Sequence, residues 1–169
     1  MTKKKLLTKQ KILVSACFLG ERVRYNGVIK PLVHKLLDLW FEQGRLLSLC
    51  PEVISGLPVP RPAAEINQIS GQFVTVKGEN VTKYFEKGAE LALKFCQQHK
   101  IKFALLKESS PSCGSNSIYD GSFSQTKIVG QGLTTSLLRQ NGIQVYCEDT
   151  IEQMAEKMAE QIKYSDLTS

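Results

Sequence analysis

The sequence predicts one α/β domain, with a mostly parallel sheet flanked by helices in three Rossmann-like layers. Three observations lead there. Short apolar runs of strand length alternate with stretches of helical periodicity along the 169 residues, which is the pattern of a parallel sheet joined by crossover helices. No internal repeat and no linker interrupts the alternation. The length suits a single core, and 42% hydrophobic with 22% charged residues is a globular composition. The expected organisation is a basic tail over residues 1–10 and one domain over residues 11–165.

Lys11 to Cys17 is an apolar run ending in a small residue and a cysteine, and it reads as a buried strand. A loop with Gly20 and Gly27 follows. Pro31 is expected to open a helix, with Leu32, Leu36, Leu39 and Trp40 inward and Gly44 at its end. Leu46 to Cys50 is a second strand ending in cysteine. From Cys50 to about Ser70, Pro51, Pro58, Pro60 and Pro62 argue against helix or central strand. Gln72 to Lys77 alternates weakly as a strand. Asn80 is the expected N-cap of a helix whose apolar face is Val81, Tyr84, Phe85, Ala89, Ala92 and Cys96. Phe103 to Lys107 is a third core strand. The Ser/Gly-rich segment from Ser109 to about Gly132 reads as a loop, before a helix over Leu133 to Gln140 closed by Gly142. Ile143 to Tyr146 is the fourth core strand. Thr150 with Gln153 suggests a capping box for a last helix with Ile151, Met154, Met158 and Ile162 inward.

The net charge is +6, with several lysines in the expected tail (Lys3, Lys4, Lys5 and Lys9). A basic balance suits nucleic acid or an anion-binding pocket. No basic stripe interleaved with aromatics is present, so nucleic-acid binding is not the expected role. No apolar run approaches the roughly 18 to 20 residues that span a bilayer. The basic start lacks the apolar stretch of a secretion signal, so a cytoplasmic location without membrane attachment is expected. Neither a GxGxxG nor a GxxxxGK[ST] pattern follows a strand, which removes dinucleotide and P-loop readings.

Five cysteines without a secretion signal argue against a disulfide framework. Cys96 lies on an apolar helix face and reads as packing, as does Cys147 after the fourth strand. Cys17, Cys50 and Cys113 differ. Each sits at a strand-to-loop transition beside Gly, Pro or Ser, where open α/β sheets bind ligands. Three thiolates suit a metal centre that keeps one coordination position open. Their separations of 33 and 63 positions match no compact finger, and spacing alone suits zinc and iron–sulfur equally. Nearby, Glu52 could activate water, or cap the loop instead. Ser110 and Ser112 could stabilise charge, with Lys107, Glu108, Arg61 and Glu65 close in sequence. Arg61 could equally be a surface residue or the partner of Glu65. His34 and His99 read as ordinary surface residues.

Several stretches resemble the thiouracil desulfurase (TudS-like) family, long catalogued as a domain of unknown function. They are Val14 to Gly20 with Arg24 to Gly27, Cys50 to Arg61 continuing to Glu65 and Ile66, Leu106 to Gly114 with Ile118 to Gly121, and Gly130 to Thr134. The resemblance as a whole spans about residues 11 to 148. Asn26 and Ser55 stand where this family usually has aspartate and glycine. The resemblance implies a 4Fe-4S cluster on Cys17, Cys50 and Cys113, with one iron free of protein ligands. It further implies non-redox removal of sulfur from a thiolated base such as 2-thiouracil, with Glu52 as acid/base and Ser110 orienting substrate or moving a proton. Ser112, Arg61, Tyr25 and Lys107 are the expected substrate contacts. Iron–sulfur assembly machinery is the implied partner. The competing readings are a zinc-thiolate hydrolase and a non-enzymatic module binding thiolated RNA bases.

Overall fold

The computed structural model describes residues 10–167, so the expected basic tail lies outside the described residues except for Gln10. The central sheet is parallel throughout, as its apolar strands predict. Strand β1 (Ile12–Ser15) pairs with β2 (Leu46–Leu49) on one side and β5 (Phe103–Leu105) on the other, and β5 pairs with β8 (Gln144–Tyr146). The order is β2-β1-β5-β8. The chain leaves β1 towards β2 and returns across it to β5, so the order reverses between β1 and β5. Open α/β sheets take their ligands in the crevice beyond the carboxyl ends of the strands at such a switch point.

Helices cover both faces. On one, α1 (Lys35–Glu42) and α5 (Ile151–Leu167) bury Leu37, Trp40, Met154 and Met158 against Ile12, Val14, Phe103 and Leu105. On the other, α3 (Thr82–Gln98) and α4 (Leu133–Gln140) bury Ala92, Cys96 and Leu138 against Leu13, Ala104 and Val145. The three layers follow directly. β1 and β5 are buried on both faces, which is why they read as unbroken apolar runs rather than alternating ones. Each large apolar side chain buried there contributes about 1.5–3 kcal/mol.

Several local expectations are corrected. α1 starts at Lys35 rather than Pro31, because the His34 side chain caps it by accepting from the Leu36 amide at 3.1 Å. His34 is therefore a capping residue, whereas His99 is exposed at the end of α3. Leu39 and Tyr84 are about half exposed and do not belong to the core. Pro51 begins the one-turn helix α2 (Pro51–Ile54) instead of preventing it, since proline's fixed φ suits a first helical position. After it, β3 (Ala64–Ile66) pairs antiparallel with β4 (Phe73–Thr75). Asn80 is not the N-cap of α3: Val81 holds that position without a side-chain cap, and Asn80, one residue earlier, accepts from the Thr82 amide at 3.0 Å. Ser109 to Gly132 is no plain loop: it contains a hairpin of β6 (Ser117–Tyr119) and β7 (Lys127–Val129). The Thr150 hydroxyl accepts from the Cys147 amide at 3.0 Å, so it serves the strand end and not a capping box.

Candidate metal centre and its cavity

Four of the five cysteines follow one strand each of the central sheet at its carboxyl end. Cys17 lies in the 3-10 turn Ala16–Leu19 directly after β1, not at the end of the strand itself. Gly20 closes that turn with φ of 81°, a left-handed conformation that favours glycine. Cys50 directly follows β2 and takes the N-cap position of α2 without a side-chain cap. Cys113 lies in the turn that leads from β5 to the hairpin, and Cys147 follows β8. The first three come from the adjacent strands β2, β1 and β5 and line one cavity of about 500 Å³. Cys147 is fully buried outside the lining, and Cys96 is fully buried in α3. No cysteine is in a disulfide.

The three lining thiols interact electrostatically. Burial pushes Cys17 up to about 11, and the neighbouring Cys50 adds to the rise. Burial also raises Cys50, against backbone hydrogen bonds from Val53 and Glu52 that favour its thiolate. Cys113 is raised further, by burial first and then by the charges of Cys50, Glu52 and Cys17. Burial alone raises Cys96 to about 12, as expected for a packing thiol.

Glu52 is on α2 and lines the cavity. Its Oε2 accepts from Arg61 Nε at 2.9 Å and lies 2.8 Å from Arg61 Nη2. Arg61 also donates to the carbonyls of Pro58 and Val23 at 3.1 and 3.0 Å. Arg61 is thus the partner of Glu52 rather than Glu65, and it staples the proline-rich segment to the loop after β1. Ser110 Oγ accepts from the amides of Ser112 and Cys113 at 3.1 and 3.2 Å, which fixes the turn and leaves the hydroxyl proton to donate. Tyr25 and Lys107 also line the cavity. Lys107 Nζ is held by the Glu148 carboxylate. Ser112 is not brought there: it is 1% exposed, and its hydroxyl bonds to Thr134 Oγ1 at 2.9 Å.

Sequence reasoning missed two groups. The first is the hairpin, which sends Tyr119, Phe123, Gln125 and Lys127 to the cavity wall. Asp120-Gly121 follows β6 directly, but with seven residues before β7 it is not the two-residue loop that would mark a hairpin in sequence. The second is the role of Glu108, which the sequence offers only as a neighbour of Ser110. Its Oε1 accepts from the amides of Ser109, Ser115, Asn116 and Ser117 at 3.0–3.1 Å. Its Oε2 accepts from Ser115 Oγ and Asn116 Nδ2, both at 3.0 Å. This carboxylate gathers the loop that carries Ser110 and Cys113. Nothing local in the sequence marks it.

Fold and cavity together define a class: an α/β protein whose ligand cavity, at the switch point of its sheet, is walled by thiols from three adjacent strands. Comparison with known proteins makes this specific. The chain belongs to the 2-thiouracil desulfurase family, whose sequence model matches residues 12–150. It is similar to the uncharacterized protein YbbK of Bacillus subtilis (strain 168), at 38% identity over 150 residues, covering 83% of this chain and 97% of that protein. Its fold is similar to the solved structure of TudS, a 4Fe-4S-dependent thiouracil desulfidase. The TM-score is 0.86 at 50% identity, over 89% of this chain and 99% of that one.

Proposed function

We propose that this protein is a desulfidase that replaces the sulfur of a thiolated pyrimidine base, such as 2-thiouracil, by oxygen at a 4Fe-4S cluster held by Cys17, Cys50 and Cys113. The observation that carries this reading is the meeting of those three thiols on one cavity at the carboxyl ends of adjacent strands. The donor set suits the group. Three soft sulfur ligands, with backbone hydrogen bonds directed at Cys50, are what an iron–sulfur cluster takes. A single zinc fits less well, because Zn–S bonds of about 2.3 Å draw the ligands tightly together. Among the described residues no group of three or more His, Cys, Asp or Glu is arranged to hold one metal ion.

When bound, the cluster supplies an iron without a protein ligand, a Lewis acid for the substrate's sulfur. The rest falls to the chain. Water adds to the thiocarbonyl carbon, a C–O bond forms, the C–S bond breaks, and the sulfur leaves with two protons. The sum exchanges C=S and water for C=O and hydrogen sulfide, with no oxidant or reductant needed. Glu52, held through Oε2 by Arg61, keeps Oε1 to take the proton from water. Ser110, accepting two amides at Oγ, gives its proton towards the departing sulfur. Tyr25 and Lys107 contact the base from the wall, and Arg61 acts through Glu52 rather than on the base. Ser112, turned to Thr134, is left out of the substrate contacts.

Five reduced thiols suit work in the cytoplasm, with the cluster delivered by iron–sulfur assembly machinery. No helix among the described residues is long and apolar enough to cross a membrane. Residues 11–165 then act as one catalytic domain, with residues 1–10 outside it. Anaerobically reconstituted protein is expected to carry about four irons and four sulfides per chain and to convert 2-thiouracil to uracil with equimolar sulfide. Loaded protein that leaves 2-thiouracil, 4-thiouracil and their nucleosides intact would sink the reading.

A further inference from the structure

The hairpin that forms one cavity wall is tightly constrained at its tip. Phe123 and Gln125 have φ of 57° and 63°, a left-handed conformation that bulky side chains adopt only when held there. At Phe123 the hold comes from Glu65 on β3, a carboxylate only 8% exposed. Its Oε2 accepts from the amides of Gly121 at 2.9 Å and Phe123 at 3.1 Å. Gly121 presses against β3 so closely that a Cβ there would lie 2.6 Å from the Ile66 carbonyl oxygen. A run of hydroxyl contacts from Ser122 to Ser124 and Thr126, at 2.6 and 2.7 Å, ties the rest of the tip. A buried carboxylate and two strained residues together fix where two side chains enter the cavity: a half-buried aromatic ring and an exposed carboxamide.

Building on the desulfidase reading, we infer that Phe123 and Gln125 select the substrate, with Glu65 as the residue that positions them. The Phe123 ring covers the face of a planar heterocycle. The Gln125 carboxamide offers one acceptor and a donor pair, which match an adjacent N–H and C=O on the edge of a pyrimidine lactam. A thiocarbonyl compound without a ring face, such as thiourea, gains neither contact and is a poor substrate.

The test uses the reconstituted holo-protein with Phe123→Ala, Phe123→Tyr, Gln125→Ala and Glu65→Gln. Three readouts are taken: iron per chain, steady-state kinetics on 2-thiouracil, and calorimetric binding of the product uracil. The alanine variants are expected to keep wild-type iron. Their KM for 2-thiouracil and their Kd for uracil rise together by about 5- to 100-fold, the range for losing one base-stacking contact at Phe123 or leaving the base edge unpaired at Gln125, while kcat changes much less. Phe123→Tyr restores both constants, and Glu65→Gln raises them without loss of iron. Gln125 is exposed, so its variant tests the idea even if a Phe123 variant folds poorly. Wild-type KM and Kd in both alanine variants overturn the inference, as does wild-type protein that binds no uracil. Uracil binding that weakens in the variants, in a protein that releases no sulfide, supports the hairpin's role and removes the desulfidase reading instead.

Discussion

Gly88→Ala should invert the usual effect of that substitution. In an ordinary helix interior, alanine in place of glycine stabilises by about 1 kcal/mol. Gly88 is buried on α3, where it passes directly under α2. A Cβ there would lie 2.3 Å from the Pro51 carbonyl oxygen and 2.9 Å from its carbon. Both are backbone atoms and cannot rotate away, so α2 must retreat by on the order of 1 Å to reach ordinary contact. Overpacking of this severity costs about 3 kcal/mol, and after the gain in helix propensity about 2 kcal/mol of destabilisation remains. In a chain of this size that lowers Tm by about 4–8 °C. Pro51 directly follows Cys50, so the retreat also displaces a cavity thiol. Thermal melts of metal-free protein, and iron per chain after reconstitution, measure the two effects. A variant that melts at or above the wild-type temperature and loads iron fully would refute this account of the packing.

Glu52→Gln is expected to load iron normally and to lose about 10²- to 10⁴-fold in kcat with little change in KM; a raised KM with full kcat would contradict its proton-transfer role. Cys113→Ser should fail to retain iron, whereas Cys96→Ala should keep a full complement at a cost of about 1 kcal/mol in stability. Equal iron in the two variants, from the same reconstitution, would undo the division between ligand and packing thiols. Burial pushes Glu108 up, but hydrogen bonds from Cys147 and the Ser109, Ser117 and Asn116 backbones outweigh it and hold the carboxyl well below its ordinary 4.5. A folded-state pKa below the unfolded one contributes stability above pH 4.5, and that contribution is lost as pH falls through and below this value. Losing the charge that gathers these amides, in a partly exposed loop, should cost about 1–2 kcal/mol at neutral pH for Glu108→Gln and flatten the acid limb in urea denaturation. Acid limbs that stay parallel would show that the charge does not hold this loop.

The sheet was legible because its strands are buried on both faces. Ile12 to Ser15 and Phe103 to Leu105 have no solvent side and hence no polar alternation to blur the signal. Helix α4 matched its expected bounds of Leu133–Gln140, since its buried positions recur at helical spacing up to Gly142. Strand ends then placed Cys17, Cys50 and Cys113 at one edge of the sheet without any long-range information. Long-range partners were another matter. Arg61 sits four positions from Glu65 but folds back nine positions to Glu52, and the turn chemistry of the proline-rich segment decides between them. Ser110 and Ser112 look equivalent around Pro111, yet only one faces the cavity, because Ser112 is drawn to Thr134, 22 residues away. The hairpin was hidden by composition: strands of three residues among serines and glycines carry too little apolar pattern to register.

The site's construction separates folding from cofactor binding. The apolar clusters on the two faces of the sheet hold the fold together, and Cys17 and Cys113 belong to them as small buried groups. Burial raises Cys17 to about 11 and raises Cys50 and Cys113 as well. At neutral pH the metal-free cavity therefore holds neutral thiols, which behave as small hydrophobes and leave no uncompensated buried charge. A zinc finger, whose core is too small to fold without metal, has no such state. A 4Fe-4S cluster held by these three thiols, as proposed above, would have to displace protons that burial makes them reluctant to release. Binding that releases those protons is expected to weaken towards acid, and iron per chain across a pH series measures it.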